Sequence, residues 1–257
     1  MTNKHLYVFF LFLLLVTSCT KTLHKIEYNE LQASDVVEEY NRYLLDIQTF
    51  YGEASLSSTT VQNGELESFD ISADIAWNER DSFSIKTFAT FLSINAFDLF
   101  VGKHSYVLKG REQYFRGFNE DAFVQQFTHI QLPLNQWFPF FCGQIRLPET
   151  GYTSHLEPDG RLRIVYSNFE VYFRADAVLP DCILFYGPDG TLVKEYKTKD
   201  RVEEKGIIFP KIIQFIDKKN KSEILINYST IRVNDAIKPK QFEVKIPAGM
   251  EQFNYEN

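Results

Sequence analysis

The chain has 257 residues, and its 27 Lys and Arg residues face 34 Asp and Glu residues, for a net charge of −7. A mildly acidic chain without a basic segment lacks the electrostatic signature of nucleic-acid-binding proteins, so we expect no nucleic-acid partner. Hydrophobic residues make up 44% of the chain, including 24 Phe and 14 Tyr. A core of good size is therefore available, in one large domain or two small ones.

The N-terminus has the pattern of an export signal. After Lys4, Leu6 to Val16 contains no polar side chain apart from the hydroxyl of Tyr7. Eleven residues suit a signal peptide and are too few to cross a membrane, which needs about 20. The run ends in Val16-Thr17-Ser18-Cys19, which resembles the lipobox of bacterial lipoproteins. That resemblance implies cleavage after residues 1–18 and a lipid on Cys19; the alternative is an ordinary signal peptide with a chance cysteine.

A tether and a helix are expected next. Residues 19–30 are mostly polar, which predicts a lipid-anchored tether. Residues 31–257 contain no low-complexity linker and no repeat, which predicts a single β domain. Ser34 has the character of an N-cap. An apolar stripe with 3,4,3 spacing predicts the helix, formed by Val37, Tyr40, Leu44 and Ile47.

Strands account for the rest of the chain. Apolar residues alternate with polar ones from Phe69 to Trp77, and the pattern returns at Phe83 and Ile85. Two x-Pro-Asp-Gly turns, at 157–160 and 187–190, divide later hairpins. The alternation of Phe242, Val244 and Ile246 predicts a last strand. Strands spaced by about 8 to 12 residues favour one continuous antiparallel sheet.

The segment Leu132 to Gly143 interrupts the strands, and its two prolines and its Asn-Gln pair favour a short kinked helix. We therefore expect a mainly β protein with few helices (α+β), built as a curved antiparallel sheet or incomplete β-barrel with short helices as a lid. An apolar hollow is expected under that lid, although side chains that fill it completely are the alternative. The predicted lining is Phe69, Ile71, Ile75, Trp77, Phe83, Ile85, Phe169, Val171 and Phe173.

Four segments together resemble the bacterial lipoprotein-localisation superfamily, that is, LolA, LolB and their relatives. They are Leu132 to Gly143, Phe209 to Ile212, Ile231 to Asn234, and Phe242 to Gly249. The resemblance covers most of residues 34–250. It implies an incomplete barrel whose cavity takes acyl chains of other lipoproteins. LolB-like members also carry an apolar residue on a protruding loop; the matching residues are Phe88, Phe91 and Leu92, which lack the family's Pro-Leu-Gly context.

The resemblance implies an envelope lipoprotein that is anchored by its N-terminal lipid, faces the periplasm from the outer membrane, and binds acyl chains in lipoprotein sorting or insertion. Acylated lipoproteins or a periplasmic carrier are the expected partners. The alternative is a structural or assembly lipoprotein that binds protein partners and has no ligand cavity.

Signals for an enzyme are missing from the sequence. There is no His-Glu-x-x-His, no Gly-x-Ser-x-Gly and no phosphate-binding glycine loop. We expect no catalytic residue, no metal and no cofactor, although carboxylates that converge only in space would escape this reasoning. Cys142 and Cys182 can form a disulfide after export or remain free thiols, and the sequence leaves both open.

Overall fold

The structure of the chain is a computed structural model, which describes residues 33–62, 65–78, 82–89, 94–118, 134–143, 145–174 and 178–253. The signal peptide, Cys19 and the tether lie outside the described residues. So do Phe91 and Leu92 of the expected loop and the side chain of Phe69. The single-domain boundary at residue 31 stays a prediction.

Two antiparallel meanders form the molecule. The first contains β1 (Thr49–Gln62), β2 (Glu65–Asn78), β3 (Ser82–Ala89), β4 (Ile94–Val101), β5 (Ser105–Lys109) and β6 (Gln113–Phe118). The second contains β7 (Thr153–Leu156), β8 (Leu162–Val165), β9 (Phe169–Phe173), β10 (Pro180–Tyr186), β11 (Leu192–Glu204), β12 (Ile207–Asp217) and β13 (Ser222–Val233). A short β14 (Glu251–Gln252) pairs in parallel with β6.

The two meanders join into a single open, curved sheet because β1 pairs antiparallel with β13. The strand order is β14-β6-β5-β4-β3-β2-β1-β13-β12-β11-β10-β9-β8-β7. In the described part of the chain, α1 (Ala33–Leu45) and α2 (Leu134–Cys142) are the α-helices. The predicted fold class, mainly β with an incomplete barrel and few helices, is confirmed.

Alternating side chains divide the sheet into an apolar concave face and a largely polar convex face. In β13, Ile224, Ile226 and Tyr228 are buried toward the core, and Leu225 and Asn227 between them are less buried or exposed. Successive residues of a strand point to opposite faces, so the period of two read from the sequence correctly assigned the inward rows.

The two predicted Pro-Asp-Gly turns are confirmed. The amide of Gly160 donates to the carbonyl of Glu157, and the amide of Gly190 donates to that of Gly187, each at 2.9 Å. Both glycines have positive φ, +82° and +77°. Glycine is suited to these positions because it lacks the Cβ that disfavours this conformation.

Helix α1 covers one side of the concave face. Val37 and Tyr40 are buried as the stripe predicts, and Leu44 packs against the core. The helix ends at Leu45, so Ile47 is buried just after it rather than within it. It begins at Ala33, which places Ser34 inside the first turn and not at the N-cap.

The C-terminal residues 234–250 form a strap across the convex face of the first meander. It contains a 3₁₀ helix, Pro239–Phe242. The hydroxyl of Ser84 donates to the carbonyl of Gln241 at 2.8 Å, and the ammonium of Lys86 donates to that of Lys240 at 2.6 Å.

The predicted last strand over residues 242–246 is wrong. Val244 and Ile246 are less exposed than Glu243 and Lys245, so the alternation is real. However, this segment has no partner strand among the described residues. Alternation of apolar and polar residues indicates an extended chain that packs by one side against the protein. Such a chain can lie there without forming the hydrogen bonds of a β-sheet.

Asn234 joins the end of β13 to the start of β1. Its side-chain oxygen accepts the amide of Gln48 at 2.8 Å, and its side-chain nitrogen donates to the carbonyl of Asp46 at 2.8 Å. Its φ of +53° is a conformation that Asn tolerates better than most residues. The end of α1 is thereby tied to the centre of the sheet.

Cys142 and Cys182 are free thiols, which settles the question that the sequence left open. Cys142 is buried and lies at the end of α2. Burial raises the pKa of Cys142 above the usual thiol value and raises that of Cys182 to about 11. Both thiols are therefore protonated near neutral pH.

Val37→Asp should destabilise the fold by about 3 kcal/mol or more, because the new carboxylate enters the core without a partner. Val37 is 1% exposed. Glu38→Ala, a change on the exposed side of α1, should stay within about 0.5 kcal/mol of the parent. Urea denaturation of both variants measures the difference, and equal losses would contradict the placement of α1.

Candidate ligand-binding site

Helix α2 lies on the concave face and fills its centre with aromatic rings. Trp137, Phe140 and Phe141 are almost completely buried. The ring of Phe83, from β3, lies 5.8 Å from that of Phe141, and the ring of Phe215, from β12, lies 5.3 Å from that of Phe140. One short helix therefore contacts strands from both meanders.

Two tyrosine hydroxyls from the sheet hold the end of this helix. Tyr228 donates to the carbonyl of Phe141, and Tyr196 donates to the carbonyl of Phe140 at 3.5 Å. The last carbonyls of a helix have no partner within the helix, and burial makes an unsatisfied carbonyl costly. Burial raises the pKa of both phenols well above the usual value, so they remain donors.

Gly143 ends α2 where the sequence placed a glycine stop. Its φ is +72°, and a Cβ there would lie 2.4 Å from Cγ of Pro210 in β12. Only a residue without a side chain allows this close approach. The end of the helix is thus fixed against the second meander by shape as well as by hydrogen bonds.

The segment after α2 is bound to α1. Asn41 is buried; its side chain donates to the carbonyl of Leu147 at 2.8 Å and accepts the Leu147 amide at 3.0 Å. The hydroxyl of Tyr40 donates to the carbonyl of Ile145 at 3.0 Å. These hydrogen bonds pair buried polar groups of α1 with backbone groups of the segment that follows α2. The two helices and this segment therefore form one cover over the concave face.

Eight of the nine predicted lining residues, all except Phe69, have described side chains, and these lie on this face in two separate groups. Ile71, Ile75, Phe83 and Ile85 are buried on β2 and β3, where Phe83 contacts α2. Val171 and Phe173 are buried on β9, and the ring of Phe173 lies 5.8 Å from that of Tyr40 in α1. Trp77 and Phe169 are only partly buried.

The partly buried aromatic residues mark the two margins of the covered face. At one margin Trp77 stacks on Phe138 of α2, with ring centroids 3.8 Å apart and planes 11° apart. At the other, Phe169 stacks on Tyr166 at 4.3 Å and lies 5.9 Å from Phe185. Apolar surface is therefore accessible where the cover ends.

Three surface depressions in the described part of the chain lie away from these residues. Their volumes are about 460, 570 and 800 Å³, and none of the eight predicted lining residues with described side chains borders them. In this structure the aromatic side chains of α2 occupy the centre of the concave face. The role of the nine residues as a cavity lining stays a prediction.

Sequence reasoning missed the tyrosines that hold α2. Tyr196 and Tyr228 occupy inward positions of strands with alternating side chains. That alternation is visible in the sequence, but it predicts burial and not the helix carbonyls that the hydroxyls reach.

Among the residues that the structure describes, no group of three His, Cys, Asp or Glu side chains is placed to hold a metal ion. No helix in this part of the chain is long and apolar enough to span a membrane.

No protein-family model matches the chain, and no curated protein matches it. Solved structures do. A DUF1329 family protein of Desulfovibrio piger has a TM-score of 0.56 at 15% identity, over 84% of this chain and 98% of that one. A LolA superfamily protein of Nitrosomonas europaea has a TM-score of 0.52 at 11% identity, over 82% and 97%.

The chain has a LolA-like fold. A Vibrio parahaemolyticus domain described as an outer membrane lipoprotein-sorting protein also shares the LolA-like fold, with a TM-score of 0.52 at 10% identity over 83% of this chain and 97% of that one. The fold implied by the sequence resemblance is thereby supported over most of the chain. In this chain, the hydroxyls of Tyr196 and Tyr228 hold the aromatic helix α2 on that fold.

Tyr228→Phe should lower the free energy of unfolding by about 1 to 3 kcal/mol, because the carbonyl of Phe141 loses its buried partner while the ring remains. Tyr114→Phe is the matched control, since the Tyr114 hydroxyl donates to Gln252 at an exposed site. That variant should stay close to the parent in urea denaturation. A loss for Tyr228→Phe no larger than that of the control would contradict the role of the hydroxyl.

Proposed function

We propose that the chain is an envelope lipoprotein that binds the acyl chains of lipoproteins or lipids on its concave face. One observation carries the proposal: in the described part of the chain, the nine-residue helix α2 covers the centre of the sheet's apolar face with aromatic side chains. A long apolar chain can make the same non-directional contacts with this face as the rings of α2 make.

The cover is suited to being displaced. An isolated helix shorter than about 12 residues is marginal in water, so α2 owes its stability to packing. Pro139 within the helix also removes a backbone donor. Movement of α2 would exchange its ring contacts for contacts with a ligand and would release the hydrogen bonds from Tyr196 and Tyr228. We infer that acyl chains enter at a margin, beside Trp77 or Phe169, and displace α2.

The nine lining residues keep their proposed role in this arrangement, with Ile75, Ile85 and Phe83 beneath α2 and Phe173 beneath α1. Cys19 carries the anchor, and the protein faces the periplasm from the outer membrane. Acylated lipoproteins, delivered by a periplasmic carrier, are the proposed partners in sorting or insertion. Phe88, half-buried at the end of β3, would begin a loop with Phe91 and Leu92 that touches the membrane. The proposed activity is binding and transfer, without catalysis.

Ligand binding should be visible through the two tryptophans. Trp77 and Trp137 are the only tryptophans in the sequence, and both lie at the contact between α2 and the sheet. A dansyl-labelled fatty acid should bind at micromolar concentration, on the order of −8 kcal/mol, and should quench tryptophan emission by energy transfer. A palmitoylated peptide should displace it, and the same peptide without the acyl chain should not.

A larger side chain on the covered face tests the location. Ile85→Phe adds volume at a fully buried position and should weaken binding of the labelled fatty acid by about tenfold, at a stability cost of about 1 to 3 kcal/mol. Leu66→Phe is the control, since Leu66 is 72% exposed. Binding that is unchanged in Ile85→Phe would place the ligand elsewhere. No binding by the parent would favour a filled face and the protein-partner alternative.

Cys19→Ala should abolish incorporation of a labelled fatty acid in growing cells and should leave the protein soluble or uncleaved in the envelope, because two or more acyl chains provide stable anchoring. Cys182→Ala, which alters a thiol in the body of the protein, should keep both the label and the membrane location. An unlabelled parent protein would end the lipoprotein assignment without affecting the concave-face proposal.

A further inference from the structure

The convex face carries a basic depression that the acyl-binding proposal does not use. Its volume is about 800 Å³, within the range of roughly 300 to 1,000 Å³ that is common for ligand sites. Cys182 of β10 and Lys197 of β11 lie in it, and these residues are paired across the two strands. Their neighbours Ile183 and Tyr196 point into the core, so the depression opens on the side opposite α2.

Cationic side chains outnumber acidic ones in the lining of the depression. Its lining includes five cationic side chains and three acidic ones, Asp181, Asp200 and Glu203, among the described residues. The cationic residues are Arg161, Arg174, Lys197, Lys199 and Arg201. Two of these cations pair with carboxylates beside the depression, Arg161 with Asp159 and Lys197 with Glu195. Arg174 and Lys199 are the exposed cations of the lining.

Two guanidinium groups converge at its centre. Nε of Arg174 lies 2.8 Å from Oδ1 of Asp181, and a terminal nitrogen of Arg201 lies 3.1 Å from the same oxygen. Arg201 also donates to the carbonyl of Leu179 at 3.1 Å. The side chain of Arg201 is only 18% exposed, so the groups around it fix its position. Each guanidinium has five N–H donors in a planar fork, which suits bidentate binding of phosphate.

The backbone of β11 departs from regular geometry at the same place. Asp200 has a φ of +45°, a conformation that costs energy for a residue with a side chain. Residues 197–203 all border the depression, and Lys197, Lys199 and Arg201 occupy alternate positions, which a strand turns to the same side. The pairing of β11 with β12 keeps its register through this point, with Lys199 opposite Ile212 and Arg201 opposite Pro210. Unfavourable backbone conformations of this kind concentrate at functional sites.

We propose that this depression, formed by Arg161, Arg174, Lys197, Lys199 and Arg201, binds a phosphate group. The phosphate belongs either to the head group of an anionic lipid or to a free phosphate ion. Since the depression lies on the face opposite α2, an anion bound there does not compete with an acyl chain on the concave face. The inference therefore stands whether or not the acyl-binding proposal is correct.

Calorimetric titration of the full-length protein, in a maltoside detergent that carries no phosphate, tests the site. The probes are inorganic phosphate and glycerophosphoglycerol, the deacylated form of an anionic phospholipid. Tighter binding of glycerophosphoglycerol identifies the head group as the ligand, and equal or tighter binding of inorganic phosphate identifies the free ion. If neither probe binds at concentrations up to about 10 mM, the site does not exist.

Charge-matched variants locate the binding. Arg174→Gln with Lys199→Gln removes two exposed cations and should weaken binding by about tenfold or more, because charge-assisted hydrogen bonds are lost. Lys219→Gln with Lys221→Gln removes the same charge from the exposed turn between β12 and β13 and should leave affinity within about twofold. Equal losses in the two double variants would show only a general charge effect and would overturn the proposal. Unchanged melting temperatures establish that both variants are folded.

Discussion

The structure depends on one requirement: an open sheet must cover its apolar face, and here α2 covers the centre of it. Trp137, Phe140 and Phe141 supply the apolar contacts. The hydroxyls of Tyr196 and Tyr228 supply the polar contacts, because they donate hydrogen bonds to carbonyls of α2 that burial would otherwise leave unpaired.

The strand order explains how α2 comes to lie there. The first meander runs outward from β1 to β6, and the second begins with β7 at the opposite edge and returns to β13 beside β1. The connection between β6 and β7 must therefore cross the sheet, and α2 is a part of this connection that lies on the concave face. A cover that belongs to a connection, and not to the sheet, can move without breaking a strand pair. Topology thus links the fold to the proposed binding of acyl chains.

The two faces offer different chemistry. The concave face is largely apolar, and among its described polar groups the hydroxyls of Tyr196 and Tyr228 donate to backbone carbonyls. The convex face carries the strap on the first meander and the basic depression on the second. An amphiphile has the same division between acyl chain and charged head group. The two proposed sites nevertheless lie on opposite sides of the sheet, so they are suited to two ligands.

The sequence by itself determined the fold class, the inward rows, the α1 stripe, the Pro-Asp-Gly turns and the short helix with its glycine stop. These features follow from local periodicity and turn chemistry, which a linear pattern records. Only the tertiary structure decided which groups meet across the chain: Tyr228 with the carbonyl of Phe141, Asn234 with Asp46, and Arg201 with Asp181. The alternation at residues 242–246 led to a wrong strand prediction, because an extended chain that packs by one side has the same pattern as a strand. Contacts between residues 20 to 190 positions apart leave no periodic trace, since they depend on the order in which the strands pair.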